Sequence, residues 1–311
     1  MFGRWFFLPV FALFACAPSA PPVMSKIVES ALVSPAKWAE LCPENGQEQW
    51  DKPAPPYRIH GNTYQVGTCG LTSVLIVGSD GAMLIDPLTE AGATHVLSNI
   101  QVLGLAPEDV TYLVITHEHF DHAAGSAYIV EQTGAKLLAG AEAAKVMESG
   151  VVDPGDPQAN WLPDMPPVKV DRVLDTEEFI WLGDVEVGGA STPGHTAGAY
   201  SWYWESCAGE GDARDCKLIT FADSLSPVES DKFRWSDHPS NVEQVRTGTR
   251  RLARLPCDIL ITGHPAASGM VKNARAGKAG GMVNCAEYAS NRLAMLDRIL
   301  AQEAATAEQS Q

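Results

Sequence analysis

The chain has 311 residues, 45% of them hydrophobic, ample for one large domain with a substantial core. Its formal charge is −16 and it carries no Lys/Arg run. A phosphate-tracking surface is therefore excluded, and with it the nucleases among enzymes built on clustered His and Asp.

In chain order, residues 1–16 read as an export signal, with Arg4 ahead of an apolar run from Trp5 to Ala15 that is too short to span a bilayer. The run ends Leu13-Phe14-Ala15-Cys16, which looks like the lipobox of a bacterial lipoprotein, although Phe14 fits it poorly. The alternative is ordinary cleavage after Ala17. The expected address is the periplasm or the exterior, with Cys16 a candidate lipid anchor to the outer membrane. Residues 17–35 form a tether without periodicity, in which Ser34 could cap a short helix at Ser34-Pro-Ala-Lys-Trp38. Residues 43–56 hold four prolines and read as irregular backbone.

Strand patterns follow at 64–67, 73–78 and 82–86, with Ser79-Asp80-Gly81 as a hairpin turn. A helix is expected over 89–103, ended by Gly104, then a strand at 111–115 and a helix from Ala123 to about Gln132. A strand at 136–139 and a helix at 141–148 come next. Residues 149–168 are long, patternless and rich in Pro, Asp and Gly around Trp161, the composition of a lid or binding loop. Strands resume at 179–181, 185–187, 200–204 and 218–222. Tyr200, Trp202 and Trp204 share a face and are expected to be sheet core rather than a substrate wall. Residues 207–216 look like a stapled hairpin tip. A helix at 241–255, a buried strand at 258–262 and an amphipathic helix at 285–302 close a domain spanning 36–302, and 303–311 read as a frayed tail. Strands and helices alternate in two runs, which predicts an α/β fold with two sheets between helix layers.

Apart from Cys16, six cysteines form an even set, which argues for disulfides in an exported chain; the absence of Cys-x-x-Cys argues against a cysteine zinc site. Pairing close in sequence is expected, Cys42–Cys69, Cys207–Cys216 and Cys257–Cys285, the last tying a strand to the C-terminal helix.

The chemistry concentrates in Thr111-Tyr-Leu-Val-Ile-Thr-His-Glu-His-Phe-Asp-His122. A strand-like run ends there in His117, His119, Asp121 and His122, four donors within six residues. In extended backbone His117 and His119 point to one side and Glu118 to the other. Four donors so close cannot all close around one tetrahedral ion without strain. Two ions are expected, His117 and His119 on one, Asp121 and His122 on the other. Imidazole and carboxylate donors favour zinc over calcium or magnesium. Two further histidines end strands on glycine-bearing turns, Thr192-Pro-Gly-His195 and Thr262-Gly-His264-Pro. Each alone is a weak signal, but ligands converging from several strand ends would complete three donors per zinc. His60, His95 and His238 stand in no such context.

His117-Glu-His-Phe-Asp-His122, Thr192-Pro-Gly-His-Thr196, Ala222-Asp-Ser-Leu-Ser226 and Thr262-Gly-His-Pro265 resemble the metallo-β-lactamase superfamily. Among its branches the chain is most similar to the class B enzymes of subclass B3. The similarity runs from about Tyr57 to the C-terminal helix and includes Leu84-Ile-Asp86, Leu255-Pro-Cys-Asp-Ile-Leu260 and Cys285-Ala-Glu-Tyr288. It implies an αββα four-layer sandwich of two mixed β-sheets flanked by helices, two Zn2+ per chain, a monomer, and small-molecule β-lactams rather than nucleic acid as partners.

By that resemblance His117, His119 and His195 would hold the first zinc, and Asp121, His122 and His264 the second. Ser224 stands where other subclasses carry a ligand cysteine. Ser224 and Ser226 match serines that seat the substrate carboxylate, Trp161 is a candidate substrate contact on the loop, and Asp86 matches a structural acid beneath the metal loop. The implied reaction is lactam hydrolysis by a zinc-bound hydroxide, with no covalent intermediate, serving antibiotic resistance; His117, His119 and Asp121 would form its catalytic core.

The chain departs from the pattern at Asp86-Pro-Leu88, where Asp-Gly-Gly is usual, in the acidic residues after Ser226, and at Glu118, a solvated side chain or an acceptor behind the ligands. Two rival readings accompany this one. A glyoxalase II-type thioesterase or a lactonase of the same fold would place an aspartate at the position of Asp223 between both metals. A zinc-stabilised binding protein would lack catalysis.

Overall fold

The computed structural model describes residues 23–42 and 49–309. The expected export signal and Cys16 lie outside the described residues. No helix among the described residues is long and apolar enough to cross a membrane.

Residues 23–35 do more than tether. Val23 is buried in the core, and Val28 N–H donates to Leu103 O at 2.9 Å, so the segment lies along the domain from Val23 onward. Ser34 then caps α1 (Pro35–Leu41), its hydroxyl accepting from Lys37 N, with proline at the first helical position. The first sheet has seven strands. β1 (Tyr57–His60), β2 (Thr63–Gln65), β3 (Val74–Val77) and β4 (Ala82–Ile85) run as an antiparallel meander. Through α2 (Glu90–Val102) the chain crosses to β5 (Val110–Val114), parallel to β4. Two short helices, α3 (Phe120–Ala123) and α4 (Ser126–Thr133), lead to β6 (Lys136–Gly140), and α5 (Ala141–Ser149) leads by the long loop to β7 (Arg172–Leu174). The helix expected from Ala123 is thus broken at Gly125. A Cβ there would stand 2.5 Å from both Ala93 Cβ and Pro87 O.

The second sheet has five strands. β8 (Glu177–Trp181), β9 (Glu186–Ser191), β10 (Tyr200–Ala208) and β11 (Asp215–Ala222) are antiparallel neighbours. α6 (Pro239–Leu252) then carries the chain to β12 (Ile259–Thr262), parallel to β11. α7 (Met270–Arg275) and α8 (Cys285–Gln309) follow. The expected frayed tail is a correction, since α8 runs on through Gln309 and Glu303 accepts from Trp235 N and Ser236 N at 2.9 and 2.7 Å.

Period-two alternation decides the layers. Val74, Ile76, Met83 and Ile85 face inward, against Trp202, Trp204, Phe221 and Ile261 of the second sheet. Leu75 and Leu84 face outward onto α2, α4 and α5, while Leu252, Tyr288 and Leu296 of α6 and α8 cover the far side of the second sheet. The result is an αββα sandwich of two mixed sheets. The aromatic stripe of β10 is core, as expected. Trp202 and Trp204 are buried, and their indole N–H groups donate to Ile115 O and Thr63 Oγ1, each at 2.9 Å. The cysteine sulfurs stand at bonding distance in the three expected pairs, with Cys207 and Cys216 directly opposite across β10 and β11.

Candidate metal centre

The site forms where strands of both sheets end. β5 delivers Thr116 to His119, and α3 carries Asp121 and His122. The β9–β10 turn carries His195, and the turn after β12 carries His264. That last turn needs its glycine, because a Cβ on Gly263 would stand 2.4 Å from the His122 ring. Asp86, Leu88 and Leu225, all non-glycine residues with positive φ (60°, 68° and 48°), cluster against the site. Such strained backbone persists only where the surroundings impose it. Leu88 occupies the left-handed conformation that the usual second glycine would adopt freely, and its N–H is held by His122 O at 3.2 Å.

The structure brings all six expected donors together. Asp121 Oδ2 lies 3.2 Å from His122 Nε2 and 3.1 Å from His264 Nε2, and those two nitrogens are 3.3 Å apart. Atoms sharing one tetrahedral ion at ~2.0–2.1 Å sit about 3.3 Å apart, so this triad has the spacing that three ligands of one such ion require. His117, His119 and His195 form the other group, with ligand atoms within 4.8 Å of one another and ring centroids 4.7 to 4.9 Å apart. His117 also comes within that reach of Asp121 and His122. We assign His264 rather than His117 to the second group because its nitrogen makes the short distances.

Four of the five histidines have one nitrogen occupied by a protein group, which selects the other for a metal. His122 Nδ1–H donates to Asp86 Oδ2 at 3.0 Å. Thr116 Oγ1 donates to Asp86 at 2.8 Å and accepts from His117 Nδ1 at 3.1 Å, leaving the buried His117 Nε2 without a hydrogen-bond partner among the described residues. His195 Nδ1–H donates to Ser226 O at 2.7 Å, and His119 Nε2–H to Asp156 Oδ2 at 2.9 Å. An unpartnered buried nitrogen beside an anionic carboxylate is the donor chemistry of a zinc site, and the residues fit the metal.

The electrostatics agree. Burial, then neighbouring His122, His195 and His119, holds His117 well below its usual range. Burial and His119 bring His195 down to about 3. Both therefore present neutral rings. Burial would lower His122, but Asp121 and Asp86 outweigh it and raise the ring to about 10. Burial would likewise raise Asp121, yet His122 and His264 hold it well below the usual carboxylate range. The field that favours a proton on this triad also favours a bound cation, which would displace that proton.

Of the two roles open to Glu118, the structure has the acceptor behind the ligands. Glu118 is buried, accepting from Thr196 Oγ1 at 2.7 Å and Gly198 N at 3.0 Å, so it clamps the His195 turn from behind. Asp223 Oδ1 lies 3.1 Å from His117 Nδ1, on the far side of the ring from Nε2, without hydrogen-bond geometry. Burial raises this carboxyl to about 7. Ser224 lines a small void with His117, His122, His264 and Tyr288, and its carbonyl accepts from Tyr288 Oη at 2.9 Å. Ser226 serves the site through its carbonyl, while its hydroxyl donates to Ser224 O at 3.4 Å. Trp161 is 55% exposed and lines neither void beside the ligands. Asp156 and Thr116 were not legible as site residues. His60, His95 and His238 lie elsewhere, bonded to Asp215 O, bonded to Ala54 O and stacked on Phe233 respectively.

Comparison with known proteins agrees with this geometry. Residues 66–264 match the Metallo-beta-lactamase superfamily. The metallo-β-lactamase MIM-1 from Novosphingobium pentaromativorans has a solved structure that is 39% identical, with TM-score 0.82, over 88% of this chain and 99% of that one. MEM-A1, a subclass B3 metallo-β-lactamase from a soil metagenome library, is 35% identical at TM-score 0.75, over 83% and 99% of the two chains. SMB-1, solved with bound 2-mercaptoethanesulfonate, is 37% identical at TM-score 0.74, over 82% and 99%. A hydroxyacylglutathione hydrolase of Methylobacterium sp. is 28% identical over 40% of this chain and 43% of its own length. The chain is thus a hydrolase of the metallo-β-lactamase superfamily, similar to its subclass B3 members.

Proposed function

We propose that the protein hydrolyses the amide bond of β-lactams with two zinc ions, one held by His117, His119 and His195 and one by Asp121, His122 and His264. The observation that carries this reading is the convergence of six donors, with His117, His119, His122 and His195 each tied back through one nitrogen so that the other faces the cluster. Zinc supplies a Lewis acid for a carbonyl oxygen and lowers the pKa of a bound water from ~15.7 to roughly 7.

The chain's own residues fix the geometry for that chemistry. Asp86 orients His122 and, through Thr116, His117. Tyr288, pushed up to about 12 chiefly by burial, stays protonated and donates to Ser224 O, fixing the turn on which Ser224 meets the void. From there the Ser224 hydroxyl is placed to donate to a substrate carboxylate. Among the described residues no base is hydrogen-bonded to the Ser224 or Ser226 hydroxyl, so both serve binding rather than a covalent step.

Asp223 bears on the rival. A thioesterase or lactonase of this fold would set it between the metals, whereas here it backs His117. Lactam hydrolysis is therefore the better reading. It fits a role in antibiotic resistance, an exported and disulfide-bonded monomer, and a leader that ends in a lipid anchor at Cys16 or in plain cleavage.

The test is turnover of a chromogenic cephalosporin and a carbapenem by purified protein, with and without a zinc chelator. Hydrolysis abolished by chelation and restored by zinc is expected. Two bound zincs with no lactam turnover would overturn the substrate assignment in favour of lactones and thioesters.

A further inference from the structure

We propose that Asp156 is a positioning residue that latches the 149–168 loop to the back of His119, so that loop order and occupancy of the first metal site depend on each other. The inference rests on the metal reading above and concerns residues that no motif marks.

The outward nitrogens of the first triad are supported differently from those of the second. Asp86, at the end of β4, braces the sheet side of the site. His119 and His195 instead lean on loops. His119 Nε2–H donates to Asp156 Oδ2 at 2.9 Å, with both side chains almost fully buried, 4% and 6% exposed. With Nε2 so occupied, Nδ1 is the nitrogen left to join His117 and His195 on a metal. Asp156 is itself held by its loop, its N–H donating to Asp153 O at 2.9 Å and its Oδ1 accepting from Gln158 N at 2.7 Å.

The loop is stitched onward through Ser230 N, which donates to Pro157 O at 2.8 Å. Ser230 lies four residues after Ser226, whose carbonyl holds His195 Nδ1. Two joined loops thus each end on the outward nitrogen of a histidine in the same triad. A zinc that fixes His119 Nδ1 and His195 Nε2 also fixes these anchors. By reciprocity, a loop ordered in advance raises zinc affinity by the same factor.

The test compares full-length wild type with Asp156→Asn and Asp156→Ala. Zinc affinity is read by chelator competition, ligand geometry by the visible absorption of the cobalt-loaded protein, and loop order by hydrogen exchange of 149–168 with and without chelator. Asp156→Ala should weaken one of two sites roughly 10- to 100-fold, leave the other unchanged and alter the cobalt spectrum. Asp156→Asn, which still accepts from Nε2–H, should recover most of that loss. Chelation should speed loop exchange in wild type but change it little in Asp156→Ala, already fast. Wild-type protein holding two zincs beside an unaffected Asp156→Ala would overturn the latch alone. Equal weakening of both sites would reduce Asp156 to a folding role and also overturn it, as would loop exchange in wild type that ignores chelation. Wild-type protein that binds no zinc would overturn the metal reading together with the latch.

Discussion

The two ligand triads are built on different supports. Asp121, His122 and His264 have their ligand atoms 3.1 to 3.3 Å apart, and His122 is braced by Asp86 at the end of a core strand. Of His117, His119 and His195, two are braced by loop atoms, Asp156 Oδ2 and Ser226 O. His122 and, through Thr116, His117 hang on Asp86 at the end of a core strand, whereas His119 and His195 hang on loops. The second site should therefore survive perturbations that empty the first.

The largest effect should come from Asp86→Ala. It strips a buried acceptor from Thr116 N, Thr116 Oγ1 and His122 Nδ1 together. Each orphaned group costs about 1–3 kcal/mol, a large part of a typical stability of roughly 5–15 kcal/mol. Urea denaturation with a zinc count should show a marginal fold that has lost its second metal. A stable variant with both metals would remove the contrast between the triads.

His119→Ala should act on chemistry instead. It removes a ligand of the loop-braced triad, so kcat/KM for a cephalosporin should fall on the order of 10³-fold while stability falls only by the one hydrogen bond lost at Asp156, about 1–3 kcal/mol. Unfolding of that variant would show the triad to be structural.

The candidate metal ligands, which the structure brings together, were legible in the sequence because each motif is local. A β-branched run, a His-x-His-x-Asp-His cluster and two glycine turns at strand ends need no tertiary information. What supports the ligands was much less legible. Ser226 acts through a carbonyl, which its side chain does not announce, and Asp156 lies in a loop whose shape depends on Ser230 and Asn241 far along the chain. β1, β2 and β7, of three or four residues, are too short for their alternation to stand out, so β1 and β7 were missed and β2 misplaced. The end of α8, rich in Ala, Glu and Gln, lacks an apolar stripe yet has high helix propensity, which explains why a frayed tail was expected where a helix runs on.

Smaller perturbations sharpen the comparison. Replacing Cys257 and Cys285 by alanine releases α8, which carries Tyr288, from the approach to β12, which carries His264. About 3 kcal/mol of stability should be lost by denaturant titration. Zinc should remain in the second site, because Asp86 does not depend on that link. On the loop side, Glu303→Ala should cost about 1 kcal/mol by removing the acceptor for Trp235 N and Ser236 N. Burial would raise this carboxyl, but the hydrogen bonds from Ser236 and Trp235 hold it below its usual range. Its contribution is thus present above the ordinary glutamate pKa of ~4.3 and fades as pH falls through the lower folded value. Melting curves of wild type and variant should converge in acid.

The most direct measurement is crystallographic, with diffraction collected at the zinc absorption edge from zinc-loaded protein. Two anomalous peaks are expected, one among His117 Nε2, His119 Nδ1 and His195 Nε2, the other among Asp121 Oδ2, His122 Nε2 and His264 Nε2. After partial chelation the first peak should fade before the second. A single peak, a peak ligated by Asp223, or loss of the second peak first would contradict the account.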